Sequence, residues 1–542
     1  MKKNRLISLF LSAAMLIMSL GGCSGNNPSS SGGSVQPGEN SLSSAAESQP
    51  QETTPTITRG GKLVIGKSQK VTTLNPTRCA GKGLDDDVYV MVYEPLVHTD
   101  AAGNLVPGLA TSWEFVDDTT IKFQLKEGVK FHDGTDFNAD AVKYVMDWYK
   151  SEECNPIFAT EIAELESVEV VDDYTVIFHL SAPSSVLLTS LATYASLMIS
   201  PAAIEKYGED LATNAVGTGP FKVTEYVEGD HVSLVRNEDY HVMGEDGQAL
   251  PYLDAIEVKI IPDDTVKATS LQSGDIQLTD YLTTTSIQML KAVPNKTVEM
   301  LPSGDIYILF PNVKTDVLGD IKVRQAINYA LNRQEFVDMV TMGLGEVSNW
   351  AAYKTQWFWT DYDPYSYDPE KAKELLAEAG YANGLTLTLS CISREPDNTI
   401  MALIQQQLKA VGITLELDSM ERLAWLDMWK SLHTGEIGLA KLNYPSATPF
   451  TQINNNFGRT GTNNYSQYDG EEYNKLLDQI KAEYDEEKAK ELFAQAQKVF
   501  LNDCASIFLY SMPRYVGYDN SLQNFSTYYQ GAWKLDQAWI KK

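Results

Sequence analysis

The alternation of strand and helix that decides the fold class lies in residues 385–417, which read LTLTLSCISREPDNTIMALIQQQLKAVGITLEL. Leu385 to Cys391 alternates apolar and polar residues as a half-buried strand does, and Ile413 to Leu417 repeats that pattern. Between them, residues 398–411 carry apolar side chains at helical spacing, and Gly412 supplies a stop. A strand, a helix and a second strand in this order predict two parallel strands joined by a crossover helix.

The same alternation continues on both sides of this stretch. Helices are predicted after Asp320 and after Asp368, the latter with Pro369 at its first position and Gly380 past its end. Further elements follow as a helix over 421–430, a strand over 437–442, and helices over 471–480 and 489–500. This series of strands and helices predicts a mainly parallel sheet with helices on both faces. Ligands bind such sheets beyond the carboxyl ends of the strands, so the residues from Asn443 onward are candidate ligand contacts.

The first folded third is rich in strand signals. Strands are predicted over 120–125 and 172–180, a helix over 139–150 capped by Asn138, and a hairpin formed by 221–227 and 231–236. Residues 60–542 are too many for one ordinary core, so two or more domains that share a cleft are expected.

The N-terminus has the features of an export signal. Three basic residues precede an apolar run over 6–20 that is shorter than a membrane-spanning helix requires. The ending Leu20-Gly21-Gly22-Cys23 resembles the bacterial lipobox, which implies removal of residues 1–22 and acylation of Cys23. The alternative is a secretory peptide with an incidental cysteine. Residues 23–59 are dominated by small and polar side chains and are expected to form a disordered tether.

Charge and cysteine spacing exclude several functions. The formal net charge of −29 argues against a nucleic-acid partner, whose phosphates the protein would repel. Cys79, Cys154, Cys391 and Cys504 are far apart without a C-x-x-C pair, so we expect core thiols, although the sequence leaves open whether two of them form a disulfide. The six histidines are scattered, and neither a metal site nor a cofactor is predicted.

Several segments, spread in order over nearly the whole folded chain, resemble one known family. It is family 5 of the extracytoplasmic solute-binding proteins of ABC importers, the peptide/nickel-binding class typified by dipeptide- and oligopeptide-binding proteins. The segments that carry the resemblance are YEPLV (93–97), GLATSW (108–113), KEGVKFHDG (126–134), GTGPF (217–221), RNEDY (236–240), VRQAINYA (323–330) and DPEKA (368–372).

The resemblance implies a periplasmic-binding-protein-like α/β fold of class II (cluster C), with two lobes, a central cleft and an inserted extra domain. Lobe I would comprise 60–95, 213–304 and 505–542, the inserted domain II 96–212, and lobe III 305–504. A solute would bind between lobes I and III, which close over it about a hinge. A membrane permease would recognise the closed form.

Relatives of the peptide-binding class carry an aspartate shortly after the last lobe III strand, where it holds the ligand's ammonium group. The matching position here is Asn443, followed by Tyr444. Asparagine has no charge, and a buried ammonium without a countercharge is costly, so this departure weakens the peptide interpretation.

Other candidate ligand contacts are aromatic or lie in a loop of lobe I. Trp350, Trp357 and Trp359 belong to an aromatic stretch over 350–367 that would either form a stacking wall for a solute or pack under a long loop. The remaining candidates are Phe450, the lobe I loop residues Cys79, Ala80 and Gly81, and Arg459, which would either bind a ligand carboxylate or be a solvated surface arginine.

The sequence therefore predicts a lipid-anchored, extracytoplasmic and monomeric solute-binding protein that captures an oligopeptide-type solute. An oligosaccharide or a nickel chelate is the alternative solute, and a surface receptor or a cell-surface hydrolase is a less favoured class. No catalytic residue is predicted, because the chain lacks G-x-S-x-G and H-E-x-x-H patterns. The expected partners are the permease subunits and ATPases of an importer.

Overall fold

The computed structural model describes residues 57–79, 85–100, 103–154, 159–354, 356–444, 449–528 and 531–542. The predicted signal, Cys23 and nearly all of the tether lie outside these residues. In the described part of the chain, no helix is both long and apolar enough to cross a membrane.

The strands are β1 (Lys62–Lys67), β2 (Val97–Thr99), β3 (Leu105–Pro107), β4 (Ala110–Asp117), β5 (Thr120–Leu125), β6 (Leu165–Asp172), β7 (Thr175–Leu180), β8 (Phe221–Val227), β9 (His231–Arg236), β10 (Ala255–Ile260), β11 (Leu278–Thr279), β12 (Lys296–Pro311), β13 (Glu346–Val347), β14 (Leu385–Ile392), β15 (Ile413–Met420), β16 (Ile437–Tyr444), β17 (Ile507–Asp519), β18 (Leu522–Gln523), β19 (Ser526–Thr527), β20 (Trp533–Lys534) and β21 (Trp539–Ile540).

The α-helices are α1 (Asp86–Val92), α2 (Ala139–Tyr149), α3 (Val186–Ser190), α4 (Pro201–Tyr207), α5 (Asp264–Ser273), α6 (Thr284–Lys291), α7 (Ile321–Ala330), α8 (Arg333–Val340), α9 (Pro369–Glu378), α10 (Asp397–Lys409), α11 (Arg422–Leu426), α12 (Pro449–Phe457), α13 (Glu471–Ala482) and α14 (Glu486–Asn502).

One large sheet organises the chain, in the order β15-β14-β16-β12-β17-β11-β1-β10-β9-β8, with β13 added beside β17. The long strands β12 and β17 pair along most of their lengths and so belong to both halves of this sheet. Their register shifts between Met300 and Gly304. A Cβ on Gly304 would lie 2.3 Å from the carbonyl oxygen of Met512, so only glycine permits this approach of the two backbones.

A second sheet is antiparallel, in the order β4-β5-β7-β6, and is packed together with the first half of the large sheet. A single hydrophobic cluster, which we call core A, joins Ile65 and Val258 of the large sheet to Phe123 and Val176 of the four-stranded sheet. These two sheets are therefore joined by continuous apolar packing.

The other half of the large sheet has separate cores on its two faces. Core B packs Tyr307 and Leu309 of β12 against α7 to α10. Core C packs Ile306 and Ile308, which point to the opposite face, against α12 to α14. Helices α5 and α6 form a smaller cluster with Tyr515 of β17.

The quoted stretch folds as predicted: β14 pairs in parallel with β15 and with β16, and α10 is the crossover helix. The expected caps are also present, since the side chains of Asp368, Asp320 and Asn138 accept hydrogen bonds from the first turns of their helices. Cys79, Cys154, Cys391 and Cys504 are all buried, as expected for cysteines of the core.

Three details differ from the prediction. The sheet is mixed rather than mainly parallel, because β16 runs antiparallel to β12. The strand predicted from Asp172 starts at Thr175, because Asp172 ends β6 and its carboxylate accepts a hydrogen bond from the turn residue Tyr174. The helix predicted over 421–430 is α11 followed by a π-helical turn over 427–432, in which Trp425 and Trp429 are both buried.

Candidate functional site

Charged side chains collect where the strands of the second half of the large sheet end. Asp305 of β12 lies directly opposite Asn443 of β16, so the two share one face of the sheet, and Lys441 follows on that face by alternation. Arg394 and Asp397 lie between the end of β14 and the first turn of α10. We call Asp305, Arg394, Asp397, Lys441 and Arg514 of β17 the rim cluster.

The charges of the rim cluster are paired unequally. Lys441 Nζ lies 2.7 Å from Asp305 Oδ2, and an Arg514 guanidinium nitrogen lies 3.6 Å from Asp305 Oδ1. Arg394 Nε donates a 2.9 Å hydrogen bond to Asp397 Oδ2. The Arg394 side chain remains 41 % exposed, whereas that of Asp397 is 1 % exposed. With three cations and two carboxylates, the rim cluster has a cationic excess, and Arg394 presents the more accessible guanidinium.

Burial raises the pKa of Asp397, and the adjacent charges of Arg394 and Lys441 only partly oppose that rise. Asp305 contributes in the same direction as burial, because its negative charge disfavours a second one nearby. The charges of Lys441 and Asp305 therefore act on the Asp397 carboxyl, although the ion pairs join Asp397 to Arg394 and join Asp305 to Lys441 and Arg514.

Arg514 links the rim cluster to the other half of the large sheet. Its guanidinium carbon lies 4.1 Å from the ring centroid of Tyr281, and its Nη1 donates a 2.7 Å hydrogen bond to the Tyr281 hydroxyl. Tyr281 follows β11, which pairs with β1. Burial raises the pKa of Tyr281 to about 12, so its hydroxyl stays protonated at neutral pH. The rim cluster can therefore bind the carboxylate of a ligand at the Arg394 guanidinium, and it also contains the negatively charged side chain of Asp305.

Asn443 lies at this rim inside β16, because the strand predicted to end at residue 442 continues to Tyr444. It is exposed, it pairs with Asp305 in the ladder, and its carbonyl accepts a hydrogen bond from Gln452. Tyr444 ends β16 opposite Gly304. Solute contact by these two residues stays a prediction.

The aromatic candidates come together on the opposite face of the sheet, in and around core C. Trp350 is completely buried, and its ring centroid lies 5.5 Å from that of Phe500 and 5.6 Å from that of Phe508. Trp357 packs edge-on against Phe493, and Trp359 and Phe450 are partly buried at the margin of the same cluster. These positions favour packing over a stacking wall, most clearly for Trp350.

The remaining candidates lie elsewhere. Cys79 is buried in core A, while Ala80 and Gly81 lie outside the described residues. Arg459 donates to Asp469 at 2.5 Å, and both side chains are about half exposed, as in an ordinary surface ion pair. This position favours the alternative of a solvated surface arginine.

Sequence reasoning missed Asp305, Arg394 and Arg514. Arg394 had a usable signal, because it follows a predicted strand whose carboxyl end was expected to face the ligand. Asp305 and Arg514 carried none, because only the pairing of β12 with β16 and β17 brings them to the rim.

Comparisons with known proteins identify the family. The model of the bacterial extracellular solute-binding proteins, family 5, matches residues 104–464. Glutathione-binding protein GsiB of Escherichia coli O1:K1 / APEC is 34% identical over 366 residues, which cover 66% of this chain and 70% of that protein.

Solved structures agree in fold. The periplasmic binding protein DppA from Helicobacter pylori, in complex with peptide STSA, gives a TM-score of 0.74 at 25% identity, over 90% of this chain and 99% of the other. The oligopeptide-binding protein AppA from Bacillus subtilis gives a TM-score of 0.74 at 24% identity, over 90% and 100%. The fold is thus the periplasmic-binding-protein-like α/β fold predicted, with two lobes, a central cleft and an inserted domain. This chain belongs to family 5 of the bacterial extracellular solute-binding proteins.

Proposed function

We propose that this protein is the solute-binding component of an ABC importer and that it captures a peptide-type solute between its two lobes. The observation that carries this proposal is the rim cluster, where an accessible guanidinium at Arg394 adjoins the paired charges of Asp305, Lys441 and Arg514. A short peptide carries a carboxylate and an ammonium group, and a site with charges of both signs can complement both.

The rim cluster also supplies the countercharge that Asn443 lacks. Asp305 lies opposite Asn443 in the ladder, and its Oδ1 is buried without a hydrogen-bond partner in the described structure, although Arg514 lies nearby. A ligand ammonium close to Asn443 would lie near the Asp305 carboxylate of the neighbouring strand, which it would share with Lys441 and Arg514. This geometry restores support for the peptide interpretation that the sequence had weakened.

An oligosaccharide is less well supported. The aromatic stretch that would stack on sugar rings packs against core C, with Trp350 completely buried. The side-chain amides near α12 already form hydrogen bonds with neighbouring backbone carbonyls. Asn464 donates to the carbonyls of Gly458 and Tyr468, and Asn456 donates to the Gln452 carbonyl. Two of the matched proteins support a peptide-type solute: GsiB is a glutathione-binding protein, and the DppA structure is a complex with peptide STSA.

The lobe boundaries remain part of this proposal, with one change. We assign lobe I to 60–95 and 213–304 with the C-terminal segment, domain II to 96–212 and lobe III to 305–504. Ile507, Leu509 and Tyr510 pack in core B, so the change from lobe III to lobe I falls inside β17, near Pro513, rather than at residue 505. The register shift of β12 beside Gly304 lies at the same level and is our candidate hinge.

Delivery requires the protein to stay near its permease. We propose that acylated Cys23 anchors a monomer to the outer face of the membrane through the tether of residues 23–59. Cells grown with radiolabelled palmitate should incorporate the label into the wild-type protein and not into the Cys23→Ala variant. Absence of label from the wild-type protein would reject the lipid anchor.

The solute class is tested by calorimetric titration of the purified protein with glutathione, the tetrapeptide STSA and cellotetraose. We expect a peptide to bind and the sugar to give no heat. The matched comparison is STSA with a C-terminal amide against wild type and Arg394→Gln. The amidated peptide should bind wild type about tenfold or more weakly than STSA does, and STSA should bind Arg394→Gln about tenfold or more weakly than it binds wild type. The amidated peptide should bind Arg394→Gln only slightly more weakly than after either single change, because both changes remove the same contact. Binding of cellotetraose alone would reject the proposal.

A further inference from the structure

Tyr484 joins two parts of the molecule that have separate cores. It lies in the turn between α13 and α14, whose apolar residues Ile480 and Phe493 belong to core C. Its partners lie in domain II, beside β4 and α3, whose Leu187 and Leu188 belong to core A. Core A is continuous from domain II into lobe I, so we treat domain II and lobe I as one rigid body. Tyr484 belongs to lobe III, the second body, and contacts the first body through domain II.

The contacts of Tyr484 use both its hydroxyl and its ring. The hydroxyl accepts a 2.8 Å hydrogen bond from the Ser184 backbone N–H and donates a 2.9 Å hydrogen bond to the Asp118 carbonyl. The ring lies 4.7 Å, between centroids, from that of Phe115 on β4. Phe115 remains 42 % exposed despite this contact, so the Phe115 and Tyr484 rings do not form a buried hydrophobic core.

A second set of bonds caps the end of α13. The Ser185 backbone N–H and hydroxyl both donate to the Lys481 carbonyl at 3.0 Å, and the hydroxyl also reaches the Ile480 carbonyl at 3.2 Å. The last carbonyls of a helix lack partners within the helix, so domain II satisfies polar groups of lobe III. Lys481 also forms an ion pair with Glu164 of domain II.

This interface is polar, small and made around one turn. Two bodies joined by a shared apolar core move together, whereas a few hydrogen bonds worth little each can break and re-form. We propose that the Tyr484 turn and residues 184–185, with the Lys481–Glu164 pair, form a latch that favours the conformers in which the lobes are close together. The inference rests on the proposed function, because a solute bound between the lobes favours those same conformers.

The latch is tested by single-molecule energy transfer between dyes on cysteines introduced at Val266 of α5 and Leu423 of α11. These positions are 52 % and 77 % exposed, while the four native cysteines in the described part of the chain are buried. Cys23 of the tether is replaced by serine in every labelled protein, so that only the introduced cysteines take dye. The variant is Tyr484→Phe, which keeps the ring and removes the hydroxyl. Its matched control is Tyr207→Phe, which loses a hydroxyl bonded to Lys206 inside domain II. Lys481→Gln is the second latch variant, for use if Tyr484→Phe fails to fold.

Without solute, Tyr484→Phe should shift the transfer distribution toward longer distances, and Tyr207→Phe should not. The affinity for STSA should fall about fivefold in Tyr484→Phe, because the binding-competent population falls by the same factor. A distribution and an affinity that match those of Tyr207→Phe would overturn the latch, as would a raised affinity. Failure of every peptide to bind, with the solute-free distribution still shifted, would reject the proposed solute class and leave the latch supported.

Discussion

Replacement of Trp350 separates a core role from a solute-binding role. The indole is completely buried, is stacked on Phe457 and meets Phe500 and Phe508 edge-to-face, at centroid distances of 5.5 to 6.1 Å. Truncation of such a side chain to alanine should lower the free energy of unfolding by about 3–5 kcal/mol. Trp350→Phe should cost less, under about 2 kcal/mol, because it also removes an indole N–H that has no hydrogen-bond partner among the described residues.

The assay is urea unfolding followed by circular dichroism, together with calorimetric titration of the peptide that binds wild type. Leu423→Ala, at a position that is 77 % exposed, is the control and should leave the unfolding midpoint nearly unchanged. The two Trp350 variants should keep the wild-type peptide affinity within about twofold, since the indole faces core C and the rim cluster lies on the other face. An unchanged midpoint with a large loss of affinity would refute this reasoning and make Trp350 a solute contact.

Three further predictions follow from the site and the core. Asn443→Ala should weaken peptide binding severalfold in calorimetric titration, and an unchanged affinity would remove Asn443 from the site. Burial of Glu94 opposes its ionisation, but His241, 2.9 Å away, holds the Glu94 pKa below its usual value. Wild type should therefore exceed Glu94→Gln in thermal stability above about pH 4.5, and the gap should close as the pH falls through the lowered pKa; a gap that persists in acid would contradict this. Gly217→Ala should lower the melting temperature strongly, because the new Cβ would lie 2.1 Å from the Val92 carbonyl oxygen, and a wild-type melting curve would contradict the packing.

Elements specified by local interactions could be predicted from the sequence. The helix at Pro369 is an example, since Asp368 accepts a hydrogen bond from the Lys371 backbone N–H and Gly380 adopts a positive φ of 91° just beyond the end. Both signals act within a few residues of the helix terminus and do not depend on the rest of the fold.

The strand β12 could not be predicted in this way. Its 16 residues include Pro302 and Gly304, which are ordinarily strand breakers. The strand persists because β17 pairs with it on both sides of the register shift, and Gly304 allows the close approach of the two backbones at that point. Tertiary pairing therefore overrides local propensity at the candidate hinge.

The aromatic stretch over 350–367 shows a different limit. Crowded aromatic residues in a sequence fit a stacking wall and a packed core equally well, because each use buries the same apolar rings. The face of the sheet on which they lie decides between the two. Ile306 and Ile308 turn one face of β12 toward the aromatic residues. On the other face, Tyr307 packs in core B and Asp305 lies in the rim cluster.

The charge at the rim shows what a solute assignment from one local segment leaves out. Between Glu436 and Asp469 the sequence contains no acid, so local alignment leaves Asn443 without a countercharge. The antiparallel pairing of β12 with β16 places Asp305 opposite Asn443. The electrostatic potential at a ligand depends on the charges of every neighbouring strand. A carboxylate missing from one strand is therefore compensated when the adjacent strand has a carboxylate at the same level. The electrostatic character of a cleft at the end of a sheet therefore depends on strand order and register, and has to be derived from both.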